Sequence, residues 1–172
     1  VTVGVLSAVL STHELTSSAA ENFVSRYYDA LNRRNPLLPF YVNSTNRYDL
    51  KADISINGAQ VATPADYYNL LEAQGAGVHY DAESVDTHVI NPSFQYNAPE
   101  GLADLDKLEK EGRRMSIAVT VMGKVQYGKG REAPRKMFNE TFVLVPNWEA
   151  MQRNPPRGIR QFLIMSQNFR AL

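Results

Sequence analysis

The chain has 172 residues, enough for one well-packed domain and too few for two cores of ordinary size. Its 18 basic side chains balance 18 acidic ones, so no overall charge draws it to nucleic acid or to a membrane, and any such role must come from a local patch. The lack of cysteine excludes a disulfide framework, a thiolate metal site and a cysteine nucleophile, and suits an intracellular protein.

Residues 1–10 are a mildly apolar N-terminal extension without a basic leader. Nothing elsewhere approaches the ~18 consecutive apolar residues of a membrane span, so a soluble chain with no membrane role is expected. From about position 11 to 34, Ala20, Phe23, Val24, Tyr27, Tyr28 and Leu31 recur at the spacing of an amphipathic helix. Ser11 with Glu14, and Ser18 with Glu21, are alternative capping boxes for its start. Arg33 and Arg34 are expected in the last turn, where cations complement the macrodipole, and Asn35-Pro36 ends the helix.

A short helical turn over 37–41 and a strand over 48–56 follow, closed by an Asn57-Gly58 tight turn. Thr63-Pro64-Ala-Asp66 supplies a threonine cap, a proline at the first position and an acid in the first turn. The helix it opens places Tyr67, Leu70 and Leu71 on one face and stops near Gly75, before a curved strand over 78–90. Residues 91–112 carry Pro92, Asn97, Pro99 and Gly101 and read as a surface insertion, with a turn or two of charged helix over 102–110.

Three further strands complete the chain, over 115–127, 136–145 and 160–170, the last preceded by a loop over 148–158. In the final strand, alternation puts Leu163, Met165 and Phe169 on one side and Phe162, Ile164 and Arg170 on the other. Both sides are largely apolar, which calls for two covers. Helices that precede an antiparallel meander and must cover one of its faces give an α+β domain over 1–172, its strongly bent sheet wrapped around the long N-terminal helix.

That order, with Ala20-Glu-Asn-Phe-Val-Ser-Arg-Tyr-Tyr28, Ile56-Asn-Gly-Ala-Gln-Val61, Phe138-Asn-Glu-Thr-Phe-Val-Leu-Val145 and Gln167-Asn-Phe-Arg170, resembles the nuclear transport factor 2-like family over residues 15–170. More narrowly it resembles the small subunits of heterodimeric messenger-RNA export receptors, in their fungal form. The resemblance implies a cone-shaped fold without an active site, packed through its sheet on the similar domain of a larger subunit. It further implies binding of phenylalanine-glycine nucleoporins and residence in the nucleus and at the nuclear pore, with shuttling to the cytoplasm. It also implies ion pairs to the partner from an acid after the second helix and an arginine in the last strand, here Asp86 and Arg170.

If Phe142, Leu163, Met165 and Phe169 face the long helix, then Ala118, Thr120, Met122, Asn139, Thr141, Val143, Phe162, Ile164 and Arg170 face outward. That apolar and small-polar set has the composition of an interface core, and left bare it would be an unusually large exposed apolar patch. For Asp86 and Arg170 the plain alternative is a solvated strand edge. Lys124, Lys129, Arg131, Arg135 and Lys136 cluster in one hairpin against Glu132 alone, a candidate phosphate contact for RNA or simply a soluble, edge-protecting turn.

No catalytic, cofactor or metal site is expected. His79 and His88 stand an odd number of residues apart on one expected strand and so face opposite sides, as do Asp81 and Asp86. No histidine-acid pair is therefore forced together. Tyr27 and Tyr28 are expected to be core residues with satisfied hydroxyls. The three histidines lack metal-ligand spacing, and neither a glycine-rich phosphate loop nor a nucleophile elbow occurs. The same fold hosts dehydratases and isomerases, so a ligand-binding cone remains an alternative, as does a homodimeric adaptor.

Overall fold

This computed structural model describes the backbone of residues 2–91 and 114–172, and the side chains of 14–91 and 114–172. The insertion expected over 91–112 and its charged helix therefore fall, after Asn91, outside the described residues. Helix α1 (Thr2–Asn32) starts well before position 11, since no proline precedes the capping-box serines to stop it. Its stripe from Ala20 to Leu31 is buried, as the helical period requires.

The end of α1 differs from expectation. Arg33 and Arg34 lie beyond its last residue, and Arg34 adopts a left-handed conformation with φ 56°. The Asn35 N–H donates to the Ala30 carbonyl at 2.9 Å and the Arg34 N–H to the Leu31 carbonyl at 3.2 Å. This closure is usually built on glycine, so Arg34 ends the helix through its backbone instead of through its charge.

Strand β1 (Asp53–Ile56) is followed by the expected tight turn, with Asn57 and Gly58 both at positive φ, but the turn leads into a short strand β2 (Ala59–Val61), not expected from the sequence, that pairs back on β1. The first strand is shorter than 48–56 because the Tyr48 hydroxyl donates to the Pro146 carbonyl and the Ala52 N–H to the Asn43 side chain, which hold that segment off the sheet. Helix α2 (Pro64–Ala73) is capped by Thr63, whose hydroxyl oxygen accepts from the Asp66 N–H at 3.1 Å. Tyr67 and Leu71 are buried beneath it, but Leu70 is 51% exposed.

Strands β3 (Val78–Asn91), β4 (Ser116–Tyr127), β5 (Arg135–Pro146) and β6 (Phe162–Ala171) follow as an antiparallel meander. Strand β1 then pairs with β6 in parallel, giving a sheet of order β2-β1-β6-β5-β4-β3. On the helix side, Phe23 and Tyr27 meet the Phe142 ring at centroid distances of 5.6 and 5.1 Å, and Tyr28 meets Phe138 at 5.8 Å. The sheet curls around α1, and β3 and β6 carry extra residues where their registers shift.

Two such irregularities matter for the site. Between β5 and β6 the register shifts at Val143/Leu144, so that Val143 pairs with Ser166 but Leu144 with Ile164, and Met165 is the extra residue. Between β3 and β4 it shifts between Ala82 and Ser84, making Glu83 the extra residue. Beside this second bulge the strands approach so closely that a Cβ on Gly123 would lie 2.0 Å from the Asp81 carbonyl oxygen. Only glycine fits there.

Candidate interaction face of the sheet

Strict alternation along β4 and β5 separates two sets of side chains. Ile117, Val119, Val121 and Val125, with Phe138, Phe142 and Leu144, are buried toward α1. Ala118, Thr120, Asn139, Thr141 and Val143 point the other way and are half-buried, with Met122 exposed among them. Register aligns these into rows across the strands: His88, Ala118, Val143, Ser166 and Asp53; then Asp86, Thr120, Thr141, Asn168 and Ser55; then Ser84, Met122, Asn139 and Arg170. Small side chains dominate the middle of the first two rows, Met122 stands exposed in the middle of the third, and the charged side chains stand at the margins.

Asp86 and Arg170 therefore share this face, both exposed. Asp86 already has a neighbour, His88 Nε2 at 3.3 Å, two residues along the same strand. The Arg170 guanidinium extends over the hairpin, within 4.0 Å of the position a Gly58 Cβ would take. Asn57 fixes that hairpin against the strand, its Oδ1 accepting from the Ala171 N–H at 2.8 Å. Gly58 itself is required by its φ of 83°, not by the arginine, and the approach of Arg170 to this turn is an arrangement that strand alternation alone does not reveal.

Two residues expected outward are not. Ile164 is 0% exposed and Phe162 6%, and both lie in the helix-facing phase, opposite Leu144 and Pro146. The bulge at Met165 is the cause: one extra residue exchanges the faces of everything N-terminal to it. For the same reason Leu163, expected inward, does not face α1, while Met165, the extra residue itself, is half-buried and packs against the core. Leu163 pairs with Val145 in the outer phase, and both are buried, so this end of the outer face is covered. Met137 is an outer residue that strand alternation could have found, since it stands two before Asn139 and is 48% exposed.

The bulge at Glu83 acts likewise on the histidines. It compensates the odd spacing, so His79, opposite Gln126, and His88, opposite Ala118, share the outer face, as do Asp81 and Asp86. His88 and Asp86, two apart beyond the bulge, share that face by plain alternation and form a pair, but an exposed one that does not line the cleft beside α1. The basic hairpin is less uniform than its composition implies. Lys124 pairs with Glu83 at 3.4 Å, and Arg135 donates to Gln126 Oε1 at 3.0 Å. Lys129 and Arg131 are exposed in the turn, and Lys136 falls in the opposite phase from Lys124 and Arg135.

The interior holds a polar cluster that the sequence did not announce. Glu140 is 1% exposed; its carboxylate accepts the Tyr28 hydroxyl at 2.5 Å and the Gln167 amide at 2.8 Å. The same amide donates to the Tyr27 hydroxyl at 2.7 Å, and the Tyr41 hydroxyl donates to Gln167 Oε1 at 2.5 Å. Burial pushes the Glu140 carboxyl up to about 7, against the two hydrogen bonds that lower it. Burial also raises Tyr27 and Tyr28, reinforced by charges that include Glu140. A carboxyl of this kind could exchange protons near neutrality, but none of its partners lines the cleft found beside α1. Tyr27 and Tyr28 are core residues with partnered hydroxyls. Among the described residues no group of three acids or histidines could hold a metal ion, and no helix is long and apolar enough to cross a membrane.

No protein-family model and no curated protein sequence matches the chain. Solved structures do. A chain from the complex described as Sac3N peptide bound to Mex67:Mtr2 is 34% identical, with a TM-score of 0.84, covering 92% of this chain and 99% of its own. A chain of the Chaetomium thermophilum Mex67 NTF2-like domain complexed with Mtr2 gives 34% and 0.82 over the same shares, 92% and 99%. The structure of Mtr2 gives 31% and 0.80, again over 92% and 99%. A scytalone dehydratase from Novosphingobium aromaticivorans shares 12% identity at a TM-score of 0.56, over 94% of this chain and 87% of its own, a likeness of fold alone.

Proposed function

Because the chain belongs to the Mtr2 family of nuclear transport factor 2-like proteins, we propose that it is the small subunit of a heterodimeric messenger-RNA export receptor. Its outer sheet face packs on the similar domain of a larger, Mex67-like subunit. Ala118, Thr120, Met122, Asn139, Thr141 and Val143 form the centre of the contact, with Asp86 and Arg170 pairing to partner charges at its margins. The joint particle works in the nucleus and at the nuclear pore, binds phenylalanine-glycine nucleoporins, and shuttles to the cytoplasm. The basic hairpin adds RNA contacts. No catalytic step is assigned to this chain.

The observation that carries this proposal is the outer face itself. Its rows run from β3 to β6, half-buried mainly at their centre on β4 and β5 and exposed at most edge positions, without a cover among the described residues, while the inner face is filled by α1. A patch with a weakly polar centre and charged margins suits a large protein interface better than a small-molecule pocket. Glu140 offers the enzyme alternative a titratable group but not a route for substrate.

Native mass measurement of the chain co-expressed with a Mex67-like NTF2 domain tests the assignment. A one-to-one heterodimer is expected. A stable homodimer that ignores the larger subunit would defeat it.

A further inference from the structure

A cleft of about 430 Å³ opens between α1 and the start of β6, on the helix side of the sheet and away from the proposed partner face. Its apolar wall is made by Phe23, Phe40, Met115 and Phe162, all buried in the fold yet lining the opening. Its polar wall is a ladder on α1. Ser18, Asn22 and Arg26 stand at i, i+4 and i+8, one above another, and all three are exposed. Arg160 closes the cleft from the strand side, its guanidinium carbon 3.8 Å from the centre of the Phe40 ring.

The charges in this cleft are unbalanced. Arg26 and Arg160 both line it, and neither has an acidic partner within salt-bridge distance among the described residues. Arg160 Nε is buried without a hydrogen-bond partner among the described residues. Burial lowers the Arg160 pKa, and the Arg26 charge lowers it further, so the two cations feel each other. An anion placed between them would relieve that repulsion and supply the missing acceptor. The guanidinium stacked on Phe40 is held at a fixed orientation for that contact.

The ladder indicates what carries the anion. Eight residues of α1 separate Ser18 from Arg26, roughly 12 Å at the helical rise. An isolated carboxylate would use only the arginine end. An extended peptide advances ~3.3 Å per residue, so three or four residues would run the length of the ladder and exchange backbone hydrogen bonds with its hydroxyl and amide. We propose that this cleft docks a short acidic peptide segment of a partner protein, laid along α1, with a carboxylate between Arg26 and Arg160 and an apolar side chain against Phe23, Phe40 and Phe162.

The proposal stands apart from the heterodimer, because the cleft and the outer face lie on opposite sides of the sheet. Fluorescence anisotropy with the full chain, and with the full chain in complex with its larger subunit, tests it using a labelled Asp-Glu-Leu-Asp-Phe-Glu-Asp probe. Binding is expected, with loss in a lysine-substituted probe and in one carrying alanine for leucine and phenylalanine. Arg26→Glu should weaken binding about tenfold or more without lowering the melting temperature, since the Arg26 side chain is exposed, has no ion-pair partner among the described residues, and its replacement by an acid removes the repulsion with Arg160. Arg160→Gln should act in the same direction. Absence of probe binding, or equal affinity in Arg26→Glu, overturns the proposal. So does displacement of the probe by 3-phenylpropionate at matched concentration, which would make this a small-carboxylate site.

Discussion

Tyr28 on α1 donates its hydroxyl to Glu140 on β5 at 2.5 Å, across 112 residues of sequence. Through Glu140 the bond continues to Gln167 on β6, and from there to Tyr27 and Tyr41. The network ties the helix to two central strands from inside the core. A buried carboxyl costs free energy in its charged form, and the cluster offsets part of that cost.

Stability should therefore depend on pH. The Glu140 carboxyl stands at about 7 in the folded chain against an ordinary 4.5, so between these values the folded state holds a proton that the unfolded state has lost. This contribution is fully present below 4.5 and disappears as pH rises through 7. Its size is on the order of 3 kcal/mol from a shift of this scale. Glu140→Gln mimics the neutral acid, its amide facing Tyr28 and its carbonyl accepting from Gln167. Denaturant melts from pH 5 to 8 should show wild type losing stability with rising pH and Glu140→Gln nearly flat. A parallel decline in both would remove Glu140 as the cause.

The bulge at Met165 makes Ile164 a core residue. Ile164→Ala should cost about 2 to 5 kcal/mol of folding stability through the cavity it leaves. Thr141→Ala, on the outer face, should cost far less stability. Urea midpoints for the two variants check this directly. Equal, small losses would contradict the register.

Charge reversal at Asp86 and Arg170 separates interface from solvated edge. Both are exposed in the chain alone, so Asp86→Arg and Arg170→Asp should leave its melting temperature within about a degree, as exposed pairs contribute little. Affinity for the larger subunit should fall by about 2 to 5 kcal/mol for each. Titration calorimetry with both variants reads this out. Unchanged affinity in both would take the two residues out of the interface.

For the basic hairpin, the turn residues should matter more than the strand residues. Lys129→Glu with Arg131→Glu should flatten the salt dependence of single-stranded RNA binding by ~0.7 in log–log slope for each phosphate that is no longer neutralised. Lys124→Glu should act more weakly, because Lys124 already pairs with Glu83. Filter binding between low and physiological salt measures the slopes. A slope identical to wild type in the double variant would dissociate the hairpin from RNA.

Much of the chain was legible because its signals are local. The helical stripe from Ala20 to Leu31, the Thr63 cap and the Asn57-Gly58 turn each rest on residues within one or two turns of one another. Outer residues before the bulge, from Ala118 to Met122 and from Asn139 to Val143, followed from simple alternation. Phe162, Ile164, His79 and His88 did not. A single inserted residue reverses every face on its far side, and alternation has no means of sensing where the partner strand skips.

By itself the sequence determined most of the helices and strands, the long meander strands above all, and that one sheet face must cover α1, since period and turn chemistry act over a few residues. The tertiary structure decided the rest. It placed the bulges, paired β1 in parallel with β6, and buried Glu140 among Tyr28 and Gln167. It also set Arg26 and Arg160 on one cleft from opposite ends of the chain. Each of these depends on where distant strands meet, and that is settled by packing of the whole sheet on its helix rather than by any local stretch of residues.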